Sequence, residues 1–217
     1  MRRAGRSVVL VPSDSRLTQS RKRLTRRLGF PCFALVTLNI QRRPSLVQIQ
    51  AVAIVANRYD GVDFPGDDCR LLLIDGLPKA VNSQERFLMS RMGANVLYNE
   101  RVQTRVIQAI GRCTRSLEDY SAVVVTGDAL PEYLADINRR RYLHPELQAE
   151  IAFGVNQSTH TDIANLLENI DIFLENGPEW EIANRQIVDD RARLIQEPLP
   201  AQSIWRARLM RRLSTRR

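Results

Sequence analysis

Apolar residues in this chain come in short continuous runs separated by polar, glycine- and proline-containing turns. Ser7 to Val11 (SVVLV), Ala51 to Ala56, Leu71 to Ile74 and Ser121 to Val125 are four such runs, rich in β-branched side chains. Runs this short and this apolar predict strands buried on both faces, as in a parallel sheet. Pro12, the Asp60 to Asp68 stretch, Asp75-Gly76-Leu77-Pro78 and Thr126-Gly127-Asp128 close them in turn. Between the strands the period lengthens. Ser13 or Asp14 can cap a helix that runs through Arg16 to about Leu28 and stops at Gly29 and Pro31. Val102, Val106, Ile107 and Ile110 share one face of a second helix, ended by Gly111. Beyond Leu130 the pattern is helical. There Ile163, Leu166, Leu167, Ile170, Phe173 and Leu174 form a stripe that reads as core, closed by Gly177-Pro178. Residues 29–50 follow neither period.

Strand and helix in alternation, with continuous apolar strands, predict an α/β fold: a parallel sheet with helices on both faces, followed by a helical C-terminal extension. Ligands of such sheets sit at the carboxyl ends of the strands, so the polar loops there are the first places to look for function.

Composition narrows the classes. At 217 residues with 44% hydrophobic content, one ordinary domain plus an appendage can bury a real core. No apolar run is long enough to cross a bilayer, and the arginine-rich start lacks the pattern of a secretory signal, so a membrane partner is not expected. Cys32, Cys69 and Cys113 are widely spaced and odd in number, which argues against a disulfide framework and a CxxC metal site; the cytoplasm is the simplest setting. Two histidines, His144 and His160, leave little for a histidine-rich metal site. The net charge of +8 is unevenly placed. Residues 1–43 carry eleven Lys/Arg against Asp14 alone, residues 203–217 carry six Arg and no acid, and the middle holds 15 Lys/Arg against 23 acids. Two basic arms on an acidic body suit a polyanion, nucleic acid first, although terminal charge runs also serve as solvated tails.

Two stretches carry candidate chemistry. Asn57-Arg58-Tyr59-Asp60-Gly61-Val62-Asp63-Phe64-Pro65-Gly66 follows a strand and combines glycines, carboxylates and an arginine. Such a loop brings backbone amides near a phosphate or ribose, or simply turns the chain. Gln108-Ala109-Ile110-Gly111-Arg112-Cys113-Thr114-Arg115 places two guanidinium groups three apart at a helix end. They can converge on one anion, or merely oppose the helix dipole.

In this order, with these strands between them, the two stretches resemble the C-terminal helicase domain of the DinG-like and xeroderma-pigmentosum-D-like branch of superfamily-two DNA helicases. Asp60-Gly61-Val62-Asp63-Phe64-Pro65-Gly66 is similar to that branch's motif V, and Gln108-x-x-Gly111-Arg112-x-x-Arg115 to its motif VI. Val8 to Ser13 fits the strand and turn that open a second RecA-like domain, and Arg70 to Pro78 the strand after motif V. The resemblance spans about residues 5–28 and 51–157 and fails over 29–50. It implies a RecA-like domain over 1–157, a helical extension over 158–200 and a basic tail over 201–217.

The resemblance also assigns roles. Arg112 and Arg115 become arginine fingers for the γ-phosphate of ATP, with Gln108 organising the cleft. Gly61, Asp63 and Gly111 lie by the nucleotide, while Pro12, Ser13, Arg58 and Asp60 face nucleic acid. The cofactor is ATP with Mg²⁺, bound mainly by a first RecA-like domain. The sequence contains no GxxxxGK[ST] and no DEAD- or DEAH-type motif, nor the clustered cysteines of an iron–sulfur site. The expected partners are therefore DNA, or RNA, and a Walker A- and DEAH-bearing first domain. Two other readings stay open: a non-catalytic nucleic-acid-binding module, and a degenerate helicase fragment.

Overall fold

The computed structural model describes residues 1, 4–29, 31–34, 50–56, 64, 66–76, 95–111, 113 and 119–199, with the side chains of Ala34 and of residues 95–102 left aside. Five parallel strands form one sheet: β1 (Arg6–Val11), β2 (Cys32–Ala34), β3 (Ala51–Ala56), β4 (Leu71–Asp75) and β5 (Ala122–Thr126), in the order β2-β3-β1-β4-β5. The α/β class and the RecA-like parallel sheet follow the sequence pattern. β2 is a strand the pattern did not predict. Only three residues long, it lies at the sheet edge, where a short segment needs no long apolar run.

β1 is central, with Val8 level with Ala53 of β3 on one side and Leu72 of β4 on the other. Successive side chains alternate between faces, so the run SVVLV feeds two cores. Val8, Leu10, Ala53, Val55, Leu72 and Ile74 line one face, and Val9, Val11, Val52 and Ile54 the other. Each buried Val, Leu or Ile among them contributes about 1.5–3 kcal/mol; Ser7, at the amino end of β1, is the buried polar side chain of this run.

Helix α1 (Asp14–Leu28) covers the second face through Leu17, Leu24 and Leu28. Of the two candidate caps, Ser13 is the one used: it is extended, and its Oγ accepts from the Arg16 N–H at 3.4 Å. Gly29 ends the helix at φ 72°, a left-handed conformation that glycine adopts without a Cβ penalty. Helices α2 (Asn95–Ile110) and α3 (Ala129–Ala135) cover the first face. The buried seam of α2 is rotated from the one expected. Val106 and Ala109 are buried with Gln103, whereas Ile107 is 39% exposed. Gln103 is accommodated because its Nε2 donates to the Tyr142 carbonyl at 2.9 Å.

The remaining helices are α4 (Ile137–Arg140), α5 (Pro145–Ser158), α6 (Ile163–Glu175) and α7 (Pro178–Arg193). The boundary expected at 157/158 falls on the last turn of α5, which packs chiefly on α7. The α6 stripe is not a filled core: no α6 residue is fully buried, and Ile163 and Leu167 are 78% and 42% exposed. A helix with neighbours on one side covers only part of a stripe this wide. A ring series joins α6 to the segment before β5 and to α7: Tyr120 against Phe173 at 5.8 Å and Phe173 against Trp180 at 4.6 Å, both edge-to-face. No helix among the described residues is long and apolar enough to cross a membrane.

Candidate nucleotide and nucleic-acid interface

All strands run the same way, so the sheet has a carboxyl edge, where Pro12-Ser13, Gly76 and Gly127 emerge, and an amino edge, where β1, β4 and β5 begin. At the carboxyl edge Gly76 (φ 79°) and Gly127 (φ 89°) lie against each other, and the Gly76 N–H donates to the Thr126 carbonyl at 3.0 Å. A Cβ on Gly127 would sit 3.5 Å from the Gly76 Cα, so space alone is ordinary there and the positive φ is what selects glycine. Pro12 is buried and Ser13 half-buried. The part of this turn open to a ligand is therefore the Ser13 hydroxyl, 3.0 Å from that of Ser15, and the first turn of α1.

The amino edge is more elaborate. Ahead of β4, Gly66 (φ 58°) donates its N–H to Asp119 Oδ1 at 3.0 Å. A single-turn 3₁₀ helix, Gly66–Asp68, follows, and the buried Asp68 carboxylate takes an ion pair from Arg6 Nη1 at 2.9 Å. Arg70 is held from three sides. Its Nε and Nη2 donate to Asp67 at 3.1 and 2.6 Å, its Nη1 donates to the Tyr120 carbonyl at 3.0 Å, and its guanidinium lies 3.9 Å from the Tyr120 ring centroid. Cys69 is fully buried with its Sγ 3.7 Å from Ser121 Oγ. Its thiol is hydrogen-bonded to that of Cys113, equally buried; the Cys69 thiol and then burial push the Cys113 pKa up, so Cys113 stays protonated.

The motif VI-like segment ends α2 at this same edge. Gly111 donates to the Ile107 carbonyl at 2.9 Å, and an added Cβ would meet that oxygen at 3.3 Å, tight enough to disfavour a side chain. Gln108 is exposed, whereas Ala109 and Cys113 are fully buried. One side of the segment is thus core and the other open. Arg58, Asp60, Gly61, Asp63, Arg112 and Arg115 lie outside the described residues, as do most of 29–50 and the tail over 201–217. Among the described residues no three His, Cys, Asp or Glu side chains stand together to hold a metal.

Sequence reading missed Asp119, the Arg6–Asp68 pair and the Cys69–Cys113 contact. The first two are single charged residues in polar context, with nothing local to mark them. The cysteine pair joins residues 44 positions apart, and their spacing suggested no pairing.

The architecture is that of an α/β domain built on a five-stranded parallel sheet with helices on both faces. Residues 1–132 match the profile of the helicase C-terminal domain, and the chain belongs to that family. No curated protein matches it. Among solved structures the chain is similar to domain 2 of the DEAD-box helicase Mss116p bound to an RNA duplex, at 15% identity and a TM-score of 0.39, over 72% of this chain and 66% of that one.

Proposed function

We propose that this chain is the second motor domain of an ATP-dependent DNA helicase of the DinG-like and xeroderma-pigmentosum-D-like branch, working in the cytoplasm against a first RecA-like domain that binds ATP and Mg²⁺. The observation that carries the reading is the Gly66 to Asp119 hydrogen bond. It ties the end of the motif V-like loop to the segment that follows the motif VI-like residues, as coupling between nucleotide and nucleic-acid sites requires. The donor set in this chain suits a terminal phosphate: Gln108, Arg112 and Arg115 offer an amide and two guanidiniums, with no carboxylate among them to hold Mg²⁺. ATP bound on the partner domain supplies the phosphoanhydride, and the guanidiniums spread the charge that develops on its γ-phosphate. Gly111 lets the backbone of this segment turn without a side chain. Gly61 and Asp63 sit by the nucleotide; Ser13, Arg58 and Asp60 face nucleic acid, with the buried Pro12 shaping the turn.

The test combines the chain with a protein bearing Walker A and DEAH motifs from the same genome. DNA-stimulated ATPase should appear in the mixture, be absent from the isolated chain, and fall by roughly a thousandfold in Arg112→Ala or Arg115→Ala. Turnover by the isolated chain, or unchanged rates in both variants, overturns the assignment.

A further inference from the structure

Helix α1 carries Arg16, Arg21, Lys22, Arg23, Arg26 and Arg27 in fifteen residues, against the single acid Asp14. On a helical wheel of 100° per residue, Arg16, Lys22, Arg23, Arg26 and Arg27 fall within an arc of about 140°. All five are exposed. Ser15 and Gln19 share that arc, Asp14 projects from the other side, and Leu17, Leu24 and Leu28 form the opposite, core-facing stripe. From Arg16 to Arg27 the strip runs about 16 Å along the helix.

A merely solvated face would intersperse acids with bases at i, i+4 spacing. Here Lys22–Arg26 and Arg23–Arg27 are like-charge i, i+4 pairs, and Arg16 stands in the first turn, where the helix dipole disfavours a cation. Among the described residues Arg16, Lys22, Arg23 and Arg26 pair with no acid. Fourteen of the 24 Asp/Glu lie in residues 128–199, against six Arg there. Arg16, Lys22, Arg23 and Arg26 therefore carry mutual repulsion that no ion pair among the described residues offsets and that a polyanion would relieve. It contains no aromatic residue, so it offers phosphates a charged rail but bases no stacking platform. It begins at the Ser13 turn and lies on the sheet face opposite α2, away from the motif VI-like segment.

We propose that the exposed face of α1 is a track for the phosphates of a nucleic-acid strand, held without regard to base sequence. The inference rests on the nucleic-acid reading above and adds the surface that would do the holding.

The experiment measures binding of a fluorescein-labelled twenty-nucleotide oligothymidylate to the full chain across a salt series. The comparison is with the triple variant Lys22→Gln, Arg23→Gln, Arg26→Gln. Glutamine retains helix propensity and removes the like-charge pairs, so the variant's Tm should equal or exceed that of the parent. Its affinity should fall tenfold or more at low salt, and its log–log salt slope should shrink by about two, since each lost contact to a single strand removes about 0.7. A parent that binds while the variant matches it in affinity and slope overturns the track and leaves the helicase reading standing. A parent that fails to bind at low salt overturns both. Equal capture of polyglutamate, lost in the same variant, would assign the strip to an acidic protein instead.

Discussion

The N–H of Gly66 donates to Oδ1 of Asp119 at 3.0 Å, joining two residues 53 positions apart at the amino edge of the sheet. Gly66 sits at φ 58°, where its amide can face the carboxylate only from a left-handed backbone. Asp119→Ala leaves that N–H without its charged partner. We expect a loss of about 1.5–3 kcal/mol in urea denaturation. Gly66→Ala meets nothing closer than Asp119 Oδ1 at 3.8 Å. Its cost is therefore conformational, about 1–2 kcal/mol. Because the two costs have different causes, the double variant should lose about their sum; a double variant no less stable than Asp119→Ala would show that Gly66 acts only through the hydrogen bond.

Gln148 gathers three carbonyls. Its Nε2 donates to Leu143 at 2.7 Å, Ile195 at 3.3 Å and Arg141 at 3.4 Å, pinning the segment after α7 against the start of α5. Gln148→Glu replaces that donor with an acceptor facing acceptors, and Gln148→Met leaves the carbonyls bare but uncharged. Thermal melts should rank the parent above Met and Met above Glu, with Met costing about 1–3 kcal/mol. Equal melting of the two variants would show that Nε2 does not hold the segment.

The Tyr120, Phe173 and Trp180 rings form the chain of contacts from Arg70 to the helical extension. Phe173 is half-buried, so Phe173→Ala should cost less than the 3–5 kcal/mol of a full core truncation, about 2 kcal/mol. Limited proteolysis should then find new cleavage between α5 and α7, while Phe173→Tyr keeps the ring and resists. Identical digestion patterns for Ala and Tyr would discount the stack as the anchor.

Burial pushes the Cys32 thiol up, and the Thr25 hydroxyl and Arg21 charge only partly offset it. A thiol raised in the native state retains its proton where the unfolded chain releases one, so its contribution is whole below about pH 8.5 and declines as pH rises further. Serine in its place does not titrate in this range. The stability gap between the parent and Cys32→Ser should therefore narrow between pH 7 and pH 10. A gap independent of pH would place the thiol's native pKa at the ordinary value.

Much of the fold is readable along the chain. Residues 51–56 form a strand over the expected bounds, and α1 ends at Gly29 as its composition implies. A strand covered on both faces must be apolar through most of its length, and a helix end must satisfy its own carbonyls. Both demands are met by neighbouring residues and so leave a local trace. The motif V-like and motif VI-like stretches stand out for a related reason: their marking residues lie at short spacing within a single segment.

Other features had no such trace. The α6 stripe carries helical spacing throughout, yet Ile163 and Leu167 face outward because coverage depends on which helices arrive beside it. The α2 seam turned toward Gln103 because the Tyr142 carbonyl lies there to receive its amide.

Sequence alone determined the parallel α/β layering, the capped α1 with its cationic surface, and the order of the two motif-like stretches, since each depends on residues within a turn or two of one another. Tertiary structure decided that Asp119 reaches Gly66, that Arg6 meets Asp68, and that Cys69 and Cys113 share one buried contact. Those pairings arise where the crossover connections return the chain to the amino edge, and no local pattern encodes where a distant strand begins.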